Sequence, residues 1–153
     1  MVRLLLHTSL LISLLLTTGL TAKAQTCRVN IGSSASGAQS YMEVYEYDYV
    51  TDKPSFPGGD RNLMTFINAT RNYPLDAYRK GIQGRVTCSF VVNTDGSVSH
   101  ISVLRGVNPA LNKEAIRVLS KMPEWTPGRM DGKPVPVRVV WAVPFRYFLL
   151  IIF

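Results

Sequence analysis

Residues 122–145 read MPEWTPGRMDGKPVPVRVVWAVPF. A helix arriving there must stop, because Pro123 has no N–H with which to continue it. A Pro/Gly loop follows, from Thr126-Pro127-Gly128 to Asp131-Gly132-Lys133-Pro134. From Val135 to Phe145 the composition turns β-branched and aromatic, the mark of a strand. Val135, Val137, Val139, Trp141, Val143 and Phe145 share one parity. Pro136, Arg138, Val140, Ala142, Pro144 and Arg146 share the other. A period of two puts the first set on one face, which is assigned to the core.

The prolines add a second constraint. Along a strand, the N–H and C=O of one residue leave on the same side, and the side alternates. Pro136 and Pro144 have one parity and neither can donate, and prolines are confined to strand ends, bulges and edges. The even-numbered side is therefore expected to face an open sheet edge. An open edge is either a liability to be guarded or a place where another strand adds.

Working outward, Asn108-Pro109 opens the helix before this stretch, with asparagine as cap and proline at the first position. Leu111, Ala115, Val118, Leu119 and Met122 form its apolar stripe; Lys113 and Glu114 lie on the flank, where Glu114 reads as solvated. Further upstream, Val86, Cys88, Phe90 and Val92 alternate with Arg85, Thr87, Ser89 and Val91, which predicts a strand from Gly84. Asn93-Thr94-Asp95-Gly96 predicts a hairpin turn, since Asp and Gly tolerate positive φ. The returning strand, Ser97 to Leu104, slips in its alternation between Val98 and Ile101, so a bulge is expected there. His100 lies in that slip and reads as solvent-facing.

Before these strands, PSFPGG at 54–59 is a turn, and Asp60 is expected to cap a helix carrying Leu63, Phe66, Ile67 and Thr70. Pro74 starts a shorter helix, which Gly81 stops. Tyr41 to Val50 alternates tyrosines with Glu46 and Asp48, as a peripheral strand with one acidic face would. The element order gives an α+β domain: a three-stranded antiparallel/mixed sheet with helices packed on one face. The helix between the second and third strands makes those two parallel by a right-handed crossover, with the first strand between them.

The formal net charge of +7 includes Arg3 and Lys23; without those two it is +5. No basic run or basic-aromatic patch points to nucleic acid. Residues 1–24 read as a secretory signal peptide: Arg3, an apolar run from Leu4 to Leu16, and a small-x-small site at Ala22-Lys23-Ala24. The alternative is an uncleaved anchor over residues 4–20, although a span needs roughly 20 apolar residues. Residues 25–43 read as a flexible tail. Residues 148–153 form a short apolar tail, too short to span a bilayer. Cys88 reads as a buried free thiol; a Cys27–Cys88 disulfide is the alternative in an oxidising compartment. No nucleophile–base pair, paired carboxylates, phosphate loop or metal-ligand spacing is present, so no enzyme, metal or cofactor is assigned.

PSFPGG at 54–59, Tyr73-Pro74, GRVTCSFVV at 84–92, Asp95-Gly96, Leu111 with Glu114-Ala115, MPEWTPG at 122–128 and DGKPVPV at 131–137 together resemble the C-terminal domain of TonB. The form resembles that common in Bacteroidetes, and the resemblance covers roughly residues 44–147. It implies a domain that binds a short segment of an outer-membrane receptor, the TonB box, by adding it beside the last strand of the sheet. It implies partnership with TonB-dependent receptors and with inner-membrane proton-motive-force motor subunits. Carried over, the partner-binding residues are Tyr73 and Pro74 near the receptor segment, with Val135, Val137, Arg138, Val139, Val140, Trp141, Ala142 and Val143 on the strand. The long Pro-rich linker of the family is missing from this sequence. The expectation is a periplasmic binding module, with two alternatives: an inner-membrane-anchored energy transducer, or a self-assembling structural subunit. A further expectation is that the acidic stretch Glu43–Asp48 lies along the basic edge containing Arg138 and Arg146.

Overall fold

The computed structural model describes residues 26–33 and 39–146. The expected signal peptide and the apolar C-terminal tail lie outside those residues. In chain order the elements are β1 (Thr26–Ser33), β2 (Gln39–Glu46), a 3-10 turn (Tyr47–Tyr49), α1 (Gly59–Thr70) and α2 (Leu75–Arg79). They continue with β3 (Gly84–Val92), β4 (Val98–Arg105), α3 (Pro109–Leu119), the two-residue strands β5 (Arg129–Met130) and β6 (Lys133–Pro134), and β7 (Val137–Phe145).

The sheet has five strands, in the order β1-β2-β7-β3-β4. Its centre is the expected three-stranded unit, with β3 antiparallel to both β4 and β7. The two further strands come from the stretch read as a tail and a peripheral strand. β1 pairs antiparallel with β2 along its length, and β2 meets β7 in parallel at two positions, Tyr45 with Val137 and Glu46 with Arg138. Small polar residues do not forbid a strand once a neighbour supplies the backbone partners, and here Tyr41–Tyr45 supplies them. The strand expected through Val50 ends at Glu46, where the chain tightens into the 3-10 turn.

The odd-numbered face of β7 is the core face. Val137, Val139, Val143 and Phe145 are buried, and Trp141 is partly buried. Val139, Trp141, Val143 and Phe145 pack with Val86, Cys88, Phe90 and Val92 of β3, with Leu63 and Ile67 of α1, and with Leu111, Ala115, Val118 and Leu119 of α3. Each fully buried aliphatic or phenyl side chain contributes about 1.5–3 kcal/mol relative to exposure. The amphipathic stripes of α1 and α3 therefore hold both helices on one face of the sheet.

Local expectations resolve individually. Asn108 caps α3 by accepting from the Ala110 N–H at 2.9 Å, with Pro109 at the first turn. α1 instead starts from Gly58, with no side-chain cap, and Asp60 sits inside its first turn. At the turn between β3 and β4, Gly96 has φ +87°, and its N–H donates to the Asn93 carbonyl at 3.0 Å. The expected bulge in β4 is present: the register shifts between Ser89 and Val91, opposite exposed His100, whose φ is +49°. Cys88 is buried and free, and Cys27 is also free.

Glu114 is not solvated. It is buried to 8% exposure, ion-paired to Arg117 at 2.6 Å, and accepts from the Asn72 N–H at 2.6 Å. Burial pushes its carboxyl up, but hydrogen bonds from Arg117 and from the Asn72 N–H, with attraction to Arg117 and Lys121, outweigh that and hold it below the ordinary value. This carboxylate ties α3 to the α1–α2 connection, a contact invisible in the local pattern of a helix flank.

The loop between α3 and β7 is fastened at several points. Ser55 and Thr126 exchange backbone hydrogen bonds at 3.1 and 2.9 Å, as do Asp52 and Arg129 at 3.0 and 2.9 Å. Trp125 is buried beneath it, edge-on to Phe56 at 5.6 Å and to Phe90 at 5.5 Å. These contacts fix the angle at which the chain enters β7.

Candidate functional site

β7 is bonded over its whole length to β3 on one side, from Val137 opposite Val92 to Phe145 opposite Gly84. On the other side β2 takes only Val137 and Arg138. Among the described residues, no strand pairs with 139–145 on that side. The Pro136 carbonyl accepts from the Tyr45 N–H at 2.9 Å, so even-numbered backbone groups leave β7 toward β2 and away from β3. Alternation then directs the N–H and C=O of Val140 and Ala142 to the same open side. Both residues are exposed, Val140 to 47%.

The edge has two built ends. At its start, the Glu46 carboxylate meets Arg138 at 2.9 Å, alongside the short β2 contact. The expected acidic stretch does lie against the edge, but it pairs with β7 only at Tyr45 and Glu46; Glu43 faces Arg28 at 3.8 Å instead. At its far end, the Arg71 guanidinium donates to the Pro144 carbonyl and stands 5.7 Å from the Phe145 ring centre. The Tyr73 ring stands edge-on to Phe145 at 5.9 Å, and its hydroxyl donates to the Ile82 carbonyl. Tyr73 is thus placed beside the last residues of β7, while Pro74 leads into α2 and lines a different hollow, with Ala110, Lys113 and Arg117.

Where the 3-10 turn carries the chain away from β7, a cleft of about 330 Å³ opens along the edge. Tyr47, Asp48, Asp60 and Trp125 line it together with residues 138–141.

The structure therefore sorts the residues expected from sequence. Val140 and Ala142 present backbone to the open side, and Arg138 guards its start. Val137, Val139 and Val143 are buried, with backbone groups turned to β3, so they build the strand and offer no backbone bond to a ligand on the edge, although Val139 lines the cleft. Trp141 also turns its backbone to β3, but its side chain reaches the cleft. Val135 lies before the strand, its N–H donating to the Gly128 carbonyl at 3.0 Å. Sequence reasoning missed Arg71, Tyr47 and Trp125 as parts of the site. No local signal marks them, because each reaches β7 only through the fold.

The family model for the Gram-negative bacterial TonB protein C-terminal region matches residues 69–149, just over half of the chain. The chain belongs to this family. Two curated relatives, the TonB proteins of Helicobacter pylori strains J99 and 26695, are each 36% identical over 58 residues. The match takes in 37% of this chain and 21% and 20% of theirs, so the chain spans about a fifth of the length of these relatives. Two solution structures of the Helicobacter pylori TonB C-terminal domain, of residues 194–285 and 179–285, align at 25% and 28% identity with TM-scores of 0.45 and 0.39. They cover 56% and 60% of this chain and 90% and 89% of their own. The TonB C-terminal match runs from the end of α1 through β7 and takes in Arg71, Tyr73, Pro74 and the open edge. β1, β2 and the 3-10 turn lie outside it. Among the described residues, no helix is long and apolar enough to cross a membrane.

Proposed function

We propose that this chain is a periplasmic binding module that captures an extended segment of a TonB-dependent outer-membrane receptor by strand addition to β7. The observation that carries this reading is the one-sided pairing of residues 139–145, with Val140 and Ala142 exposed at the edge, in a chain of the TonB C-terminal family. Backbone hydrogen bonds supply affinity in such recognition, and side-chain pockets supply selectivity. Arg71 and Tyr73 flank one end of the captured strand, and Arg138 with Glu46 closes the other. Coupling to inner-membrane proton-motive-force subunits belongs to the same proposal and rests on the family alone.

The test is amide hydrogen exchange, residue by residue, with and without peptides from receptor N-terminal segments. Capture at this edge slows exchange at Val140 and Ala142, with little change at Val139 and Trp141, which already face β3. Binding that leaves Val140 and Ala142 exchanging at their free rates places the peptide elsewhere.

A further inference from the structure

We propose that the captured strand carries a lysine or arginine whose side chain enters the cleft beside Val139–Trp141. This inference rests on strand addition at β7 and names the chemistry of the segment added.

A strand laid against the edge passes directly along the cleft, since residues 138–141 form both. The cleft has two kinds of lining. One part is apolar and aromatic, from Tyr47, Pro54, Trp125 and Trp141, a surface suited to a long methylene stem. Its polar lining is mostly carboxylate, from Glu46, Asp48 and Asp60.

The charges do not cancel. Arg138 neutralises Glu46 at 2.9 Å. Asp48 has only Lys53 at 4.0 Å, with both side chains more than half exposed, a geometry that solvent screens heavily. Asp60 forms no ion pair among the described residues. A side chain entering beside Val139 therefore meets a surplus of negative charge over an aromatic wall. The Tyr47 ring already holds one cation, the Lys53 ammonium 4.8 Å from its centre, so aromatic and cationic groups are compatible at this place. A cationic side chain gains from both kinds of lining. An aliphatic one gains only from the apolar part, and a carboxylate is repelled by the acidic part. Tyr47, Asp48 and Asp60 all lie outside the family-matched residues 69–149, so this selectivity is supplied by the part of the chain that the shared model does not reach.

The experiment is selection from a displayed library of random octapeptides against the wild-type chain, an Asp48→Asn/Asp60→Asn double variant, and Val140→Pro. Wild type is expected to enrich Lys or Arg at one position, and the double variant to keep the apolar consensus while losing that enrichment. In the leading peptide, Lys→Gln should weaken binding about threefold and Lys→Glu about tenfold, with the differences shrinking in high salt. Enrichment without a basic residue, or basic enrichment that survives in the double variant, overturns the inference and leaves capture standing. Selection of the same peptides by Val140→Pro, or no selection by wild type, overturns capture itself and the inference with it.

Discussion

Replacing Val140 by proline separates the capture edge from the fold. Val140 is 47% exposed, and its backbone N–H leaves β7 on the side away from β3. Proline there removes no bond to β3 and little buried surface. Its cost is the restriction of φ and of the residue before it, about 1 kcal/mol, or roughly 5 °C in melting temperature. The incoming strand loses a donor worth about 0.5–1.5 kcal/mol and meets a ring on the pairing side. Together these should raise the Kd for a receptor peptide by about tenfold or more. Val139→Pro is the contrast. Val139 is 4% exposed and lies opposite Phe90 in the ladder. Losing its N–H strands a buried β3 carbonyl at about 1–3 kcal/mol, and the ring disturbs packing against α1 and α3 as well. A total near 4 kcal/mol is a large share of an ordinary domain's 5–15 kcal/mol. The assay is a thermal melt and a peptide titration for each variant, with Val140→Thr as the control that keeps the N–H. Normal binding by folded Val140→Pro refutes the edge argument. Equal unfolding by both prolines refutes the assignment of which side faces β3.

Gly96→Val should cost about 3 kcal/mol or more in a denaturant titration, because φ is +87° and a Cβ would stand 2.2 Å from the Trp125 carbonyl oxygen; an unchanged midpoint would exclude that close approach. Glu114→Ala should destabilise by about 1–3 kcal/mol, since it leaves the Asn72 N–H without its acceptor and removes the ion pair to Arg117, which keeps only the Thr70 carbonyl. The Glu114 carboxyl is held below its unfolded value, so its stabilisation is fully present above the ordinary carboxylate range and is lost as pH falls through the depressed value. Melts taken below roughly pH 4 should therefore fall more steeply in wild type than in Glu114→Gln. Deleting residues 26–46 removes the Glu46–Arg138 pair and the Tyr45–Pro136 bond, extending the open edge to Val137; peptide affinity should rise if this short contact competes with the ligand, and unchanged affinity in a folded deletion would show that it does not. Burial pushes the Cys88 thiol up to about 11, so it should resist alkylation at pH 8 until urea unfolds the chain; rapid labelling of the native chain would contradict its place in the core.

Period and punctuation alone carried much of the architecture. The alternation of Val137, Val139, Val143 and Phe145 identified the core face of β7, because a pleated strand leaves a residue only one of two sides to face. Asn108-Pro109 marked the start of α3, and Asp95-Gly96 the turn between β3 and β4, through backbone preferences that act within a few residues. Pro136 and Pro144 pointed to the open side of β7, since a missing N–H is a property of the residue itself. Tertiary structure decided what borders that edge. Residues 26–33 became a strand because β2 supplied its partners; Glu114 became buried because the α1–α2 connection folds onto α3; and Tyr47, Asp60 and Trp125 reach the cleft only after the sheet has closed. Each of these depends on surfaces far apart in the chain, whose meeting is set by the packing of helices on the sheet and leaves no periodic trace in either segment.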